Sequence, residues 1–121
     1  MKLLGVMIGT EDSKKLGEFY EGILGPVAYQ DNDWYGFDID GGTLMIGPHS
    51  EVHGKNQDAP RLMIAIENKD VPALYRQFVD GGATSVAEPY QPDREQSPGV
   101  WLATVADIDG NYIQISTPWT E

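Results

Sequence analysis

One pattern of apolar runs and turn signals occurs twice along this chain, and that repetition constrains the fold more than any other feature. Leu3 to Ile8 is a short apolar run of the kind that forms a buried strand. Thr10 or Asp12 can then N-cap a helix that carries Leu16, Phe19, Tyr20 and Ile23 at helical spacing and stops at Gly25-Pro26. Strands are expected at Val27 to Gln30, Trp34 to Ile39 and Thr43 to Ile46, the last two joined by an Asp40-Gly41 hairpin turn. The pattern restarts at Leu62 to Ile66. Asp70 opens a second helix with Val71, Leu74, Tyr75 and Phe78 on one face, ending at Gly81-Gly82. Three more strands follow, at Ser85 to Tyr90, Val100 to Ala106 and Tyr112 to Thr117, with Asp109-Gly110 as the last hairpin turn. Asp12 therefore matches Asp70, and the segment from Asp40 to Ile46 matches that from Asp109 to Ile115. The expected class is α+β, built from two βαβββ modules. The first repeat spans about 1–48, the polar connector about 49–60, and the second repeat about 61–121.

A chain of 121 residues has room for one such domain and no second one. It contains no apolar run of 18 residues to span a bilayer, and the first twelve residues reach Glu11-Asp12 too soon for a secretory signal. The expected location is cytoplasmic. Absence of cysteine removes disulfides, thiolate metal sites and a cysteine nucleophile. A net charge of −11, spread along the chain, argues against nucleic acid as a partner. It fits a solvated surface, and the Asp31, Asp33, Asp38, Asp40 group is the best support for attraction of a cationic ligand.

Three segments carry a family resemblance. They are the strand leading to Asp12 with GEFYEGILG (17–25), the Asp70-Val71 helix entry ending in Gly81-Gly82-Ala83, and DIDGNYIQI (107–115). Together they resemble the vicinal-oxygen-chelate superfamily of glyoxalase I, extradiol dioxygenases, fosfomycin-modifying enzymes and bleomycin-resistance proteins. Ile108 stands where the family's Asp-Pro-Asp-Gly-Asn signature has proline. The resemblance implies that the two βαβββ modules form a curved mixed eight-stranded sheet, with helices outside and a ligand pocket inside, on the inner face of each half-sheet. Ile113 and Ile115 then pack against the helix, and alternation turns Tyr112, Gln114 and Ser116 inward. By the repeat, Thr43, Met45 and Gly47 face inward as well. If both Asp-Gly turns are two-residue hairpins, Trp34, Gly36 and Asp38 join them in the first unit, and Trp101, Ala103 and Val105 in the second.

The resemblance also implies a divalent ion held by His, Gln or Glu at inward positions, which fall here on Gly5, Met45, Met63 and Gln114. Glycine offers no ligand and thioethers suit hard ions poorly. One amide oxygen falls short of the three or so protein ligands such an ion takes. No metal, no cofactor and no catalytic residue is therefore expected. His49, Glu51 and His53 sit in a polar connector and read as exposed loop residues. The loop from Gln91 to Gly99 can serve as a surface flap. The expected ligand-binding set is Trp34, Asp38, Met45, Met63, Trp101, Tyr112 and Gln114. Three classes stay open: a homodimeric binding protein, like bleomycin-resistance proteins, that sequesters a planar or cationic small molecule; a metal-dependent lyase, isomerase or dioxygenase; and a vestigial structural or regulatory module.

Overall fold

The computed structural model describes residues 1–118. Within it the chain divides into two compact units, Met1–Lys55 and the residues from Asn56 onward. The first contains β1 (Gly5–Thr10), α1 (Ser13–Leu24), β2 (Tyr29–Asp31), β3 (Trp34–Ile39) and β4 (Gly42–Pro48). The second contains a 3-10 turn at Ala59–Arg61, then β5 (Ile64–Glu67), α2 (Val71–Asp80), β6 (Thr84–Tyr90), β7 (Leu102–Ala106) and β8 (Tyr112–Ser116). Each unit holds one four-stranded mixed sheet, in the order β1-β4-β3-β2 and β5-β8-β7-β6. The twofold βαβββ pattern of the sequence is thus the pattern of the fold. Strand ends move by a residue or two, and Leu3 and Leu4, expected inside the first strand, lie ahead of it and exposed.

Both helices start where a carboxylate can accept from a free backbone N–H. Asp12 caps α1 through Lys15 N at 3.0 Å, and Asp70 caps α2 through Ala73 N at 3.1 Å. In the first unit Leu16 and Tyr20 of α1 are fully buried, as are Phe37, Leu44 and Ile46 on the sheet beneath. Burial of each such side chain contributes about 1.5–3 kcal/mol. Val71 and Phe78 of α2 are buried in the same way, with Ala103, Val105, Ile113 and Ile115 on the second sheet.

Gly17 is what lets α1 settle on β3. A Cβ there would sit 2.9 Å from Cγ of Tyr35, whose ring lies on the helix-covered face. Gly17→Ala should therefore destabilise by about 1–3 kcal/mol through overpacking, outweighing the roughly 1 kcal/mol of helix propensity that alanine gains. A lower urea midpoint for the variant checks this. A higher one would show that the ring yields cheaply.

The two Asp-Gly turns differ, which corrects the expected register of the second unit. Ile39 pairs with Gly42, so Asp40-Gly41 is a two-residue hairpin. Ala106 pairs with Tyr112, leaving a five-residue loop from Asp107 to Asn111. The buried Asp107 carboxylate organises that loop. Its Oδ1 accepts from the backbone N–H of Asp109 at 2.8 Å and of Asn111 at 2.9 Å, and its Oδ2 accepts from Asn111 Nδ2 at 3.0 Å. Asn111 Oδ1 in turn accepts from Asn56 Nδ2 at 3.0 Å. Removing the buried carboxylate leaves several half-buried donors without their acceptor, so Asp107→Ala should lower stability by about 1–3 kcal/mol. Chemical denaturation of the variant would show this as a reduced midpoint with an unchanged slope.

Candidate functional site

With one face of the first sheet packed on α1, the period of two fixes what the other face carries. Met7 on β1 is the parallel partner of Met45 on β4, and Met45 is opposite Gly36 on β3. Tyr29 and Asp31 on β2 are opposite Gly36 and Trp34. Trp34, Asp38 and Met45 therefore share this face, as their spacing predicts. The residues between these side chains are small. Gly47 lies directly beneath Trp34: a Cβ on it would fall 2.2 Å from Cδ2 of the indole. The indole can lie against the sheet only because that position is glycine.

The result is a hollow of about 270 Å³ lined by Met7, Tyr29, Asp31, Trp34, Tyr35 and Met45. Its surface is mostly apolar, and its one ionisable carboxylate is Asp31, which accepts a 3.4 Å hydrogen bond from the Tyr29 hydroxyl. No lysine, arginine or histidine lines it. Met7 and Tyr29 are more than half exposed. Such a surface can stack a flat ring, surround it with polarisable thioethers and present one negative charge to it. Asp38 does not join the hollow. It borders a separate open depression with Lys2, Leu3, Leu4, Asp40 and Thr43.

Tyr29 was absent from the sequence-derived readings, and Asp31 entered them only as one of four acids rather than as part of the ligand-binding set. Strand β2 is only three residues long and lacks a pattern of its own. The signal that places it is the Asn32-Asp33 turn, with Asn32 at φ 54, which pairs Asp31 with Trp34.

In the second unit Gln114 sits between Ala65 on β5 and Thr104 on β7, and Tyr112 is opposite Ala106. The five-residue loop shifts β7 by one position from the expected register, so Leu102, Thr104 and Ala106 share the face of Gln114. Ala103 and Val105, expected on that face, are opposite Ile115 and Ile113 and are fully buried. Trp101 precedes β7 and is opposite Thr117, exchanging 3.1 Å bonds with its Oγ1 and its backbone N–H. Strand alternation groups it with Ala103 rather than with Gln114. Met63 lies one residue ahead of β5 and is partly exposed. A shallow hollow of about 180 Å³ beside Glu67 and Ser116 is the second unit's own concavity.

The residues do not fit the divalent ion that the superfamily's enzymes hold. At Gly5 a Cβ would fall 2.2 Å from the carbonyl oxygen of Thr43, so even a replacement ligand would require the backbone to shift. Met45 and Met63 bring thioethers, and Gln114 brings one amide. Among the described residues no three of His, Asp and Glu gather closely enough to hold an ion. His49 Nδ1 accepts from Glu51 N at 3.0 Å, while His53 faces Glu11 at 3.8 Å, both on the exposed connector. The loop at 91–99 is stapled to itself by Gln91 Nε2 donating to Pro98 O at 2.6 Å and Ser97 N to Asp93 O at 2.8 Å. No helix among the described residues is long and apolar enough to cross a membrane.

Comparisons with known proteins agree with this architecture. A glyoxalase-related enzyme from Fulvimarina pelagi superposes with a TM-score of 0.76 at 17% identity, covering 98% of this chain and 89% of its own. A glyoxalase/bleomycin resistance protein from Albidiferax ferrireducens gives 0.76 at 21% identity, covering 96% and 98%. A glyoxalase/bleomycin resistance protein/dioxygenase family enzyme from Burkholderia phytofirmans gives 0.76 at 19% identity, covering 97% and 98%. The search of curated protein sequences found no match. The family model described as a glyoxalase-like domain matches residues 5–116. The chain therefore belongs to the glyoxalase-like domain family, within the vicinal-oxygen-chelate superfamily.

Proposed function

We propose that this chain is a cytoplasmic small-molecule-binding protein of the glyoxalase/bleomycin-resistance type, independent of a divalent metal ion, that sequesters a planar cationic ligand. The observation that carries the reading is the Trp34 indole, seated over Gly47 and flanked by Tyr29, Met7, Met45 and the Asp31 carboxylate. Aromatic faces and a single carboxylate favour a flat cation over an anion, and a net charge of −11 adds long-range attraction of the same sign. The same charge keeps nucleic acid out of the proposal. A hollow of about 270 Å³ lies just below the usual range for a drug-sized ligand, about 300–1,000 Å³. It is also open to solvent on one side, so a homodimer in which further surface covers the ligand is part of the proposal.

Titration with ethidium, a planar cation, should quench tryptophan emission with a dissociation constant in the micromolar range, and the planar anion 8-anilinonaphthalene-1-sulfonate should bind at least tenfold more weakly. Trp34→Ala should weaken ethidium tenfold or more, about 1.4 kcal/mol. Gly47→Ala should do the same by displacing the indole, while Asp31→Asn should narrow the difference between the two dyes. Equal binding of both dyes, or indifference to Trp34→Ala, would overturn the reading.

Light scattering should give twice the 13.3 kDa chain mass in solution. A mass of one chain would remove the dimer from the proposal.

A further inference from the structure

The hollow on the first sheet has a second chemical character, the capacity of its sulfur atoms to ligate a metal. Met7 and Met45 are direct partners in the parallel β1–β4 ladder, so their side chains leave the sheet on the same face at the same level. Both line the hollow, beside Trp34 and Asp31. Methionine is unbranched and has three rotatable side-chain bonds, so two partnered methionines can turn both Sδ atoms toward one point. We propose that this pair is a site for a soft monovalent cation, Cu(I), with the two thioethers as ligands and the Trp34 face as the cap.

Hardness and charge choose the ion. Thioethers are neutral, polarisable donors that select Cu(I) and bind Zn²⁺, Mg²⁺ or Mn²⁺ poorly. Met45 stands at a position where the superfamily resemblance implies a hard donor and offers a soft one, and Gly5 beside it is closed to any side chain by the Thr43 carbonyl. The hollow's single ionisable carboxylate, Asp31, matches a charge of +1. An indole face attracts a cation most strongly of the aromatic side chains, and Gly47 holds this one against the sheet. No cysteine exists anywhere in the chain to compete for the metal.

The inference concerns the same hollow as the planar ligand but does not depend on it, because it rests on sulfur rather than on ring area. Ag(I), a soft cation that does not change oxidation state under these conditions, is the probe, in chloride-free buffer. One equivalent should shift the ε-methyl NMR signals of Met7 and Met45 together, leave those of Met1 and Met63 in place, and quench Trp34 emission, with micromolar or tighter affinity. Zn(II) at the same concentration should do none of this. Met7→Leu and Met45→Leu, which nearly conserve volume, should each weaken Ag(I) at least tenfold. The urea midpoint of each variant should stay close to the parent's, which reports that the sheet carrying the hollow is intact.

Affinity no better than millimolar would overturn the site. So would shifts at His49 and His53 in place of the methionine methyls, or Ag(I) binding undiminished in the double variant. An unsubstituted protein that binds ethidium but ignores Ag(I) sinks the cation site alone. The converse, Ag(I) binding to a protein that ignores ethidium, sinks the planar-ligand reading alone.

Discussion

Packing of Leu44 and Ile46 beneath α1 decides where β4 sends everything else. Because successive residues of a strand point to opposite faces, burying these two turns Thr43, Met45 and Gly47 outward. The ladder then passes that choice to the neighbouring strands. Met7 must follow Met45, Trp34 must sit over Gly47, and Tyr29 must stand opposite Gly36. A slip of one residue would bury Met45 and expose Ile46, a change that forfeits several kcal/mol of apolar burial. The composition of the hollow is in this sense a by-product of the core behind it.

The two Asp-Gly turns show how far such reasoning carries from sequence and where it stops. The segments Asp38-Ile39-Asp40-Gly41-Gly42 and Asp107-Ile108-Asp109-Gly110-Asn111 differ only in their last residue. Asn111 donates its backbone and side-chain N–H groups to Asp107, closing a five-residue loop around a buried carboxylate. Gly42 has no side chain to donate, so the first ladder runs on to Ile39 and the turn stays short, leaving Asp38 exposed. Reading both turns as two-residue hairpins placed Trp34 on the face where the structure has it. The same reading turned Ala103 and Val105 the wrong way. A dipeptide signal reports that the chain reverses, whereas loop length depends on side-chain hydrogen bonds several residues apart.

Helices, strands and buried faces were legible because apolar periodicity is strong in α1, α2, β4 and β8. Tyr29 was not, and Asp31 was legible only as a charge, because three residues carry no periodicity and their face is inherited from Trp34 through the Asn32 turn. The close approach at Gly5 was legible only as a missing ligand. That the position is closed by the Thr43 carbonyl is a fact about backbone proximity, which residue identity alone does not encode.

Comparing the repeats with each other separates what the fold requires from what a site can vary. Leu44 and Ile46 correspond to Ile113 and Ile115, all buried beneath a helix, and these positions have kept one chemistry. On the opposite faces Met45 corresponds to Gln114 and Thr43 to Tyr112, and the strand partner of Met45 is Met7 whereas that of Gln114 is Ala65. A helix-covered position must fill a fixed volume with apolar atoms, so few residue types suit it. A position on the face turned away from the helix is not held to that helix's packing, so its chemistry can differ between ligating and stacking groups on one scaffold. The first unit carries aromatic and thioether groups there and the second amide and hydroxyl groups, so the two sheets present different chemistry on one shared scaffold.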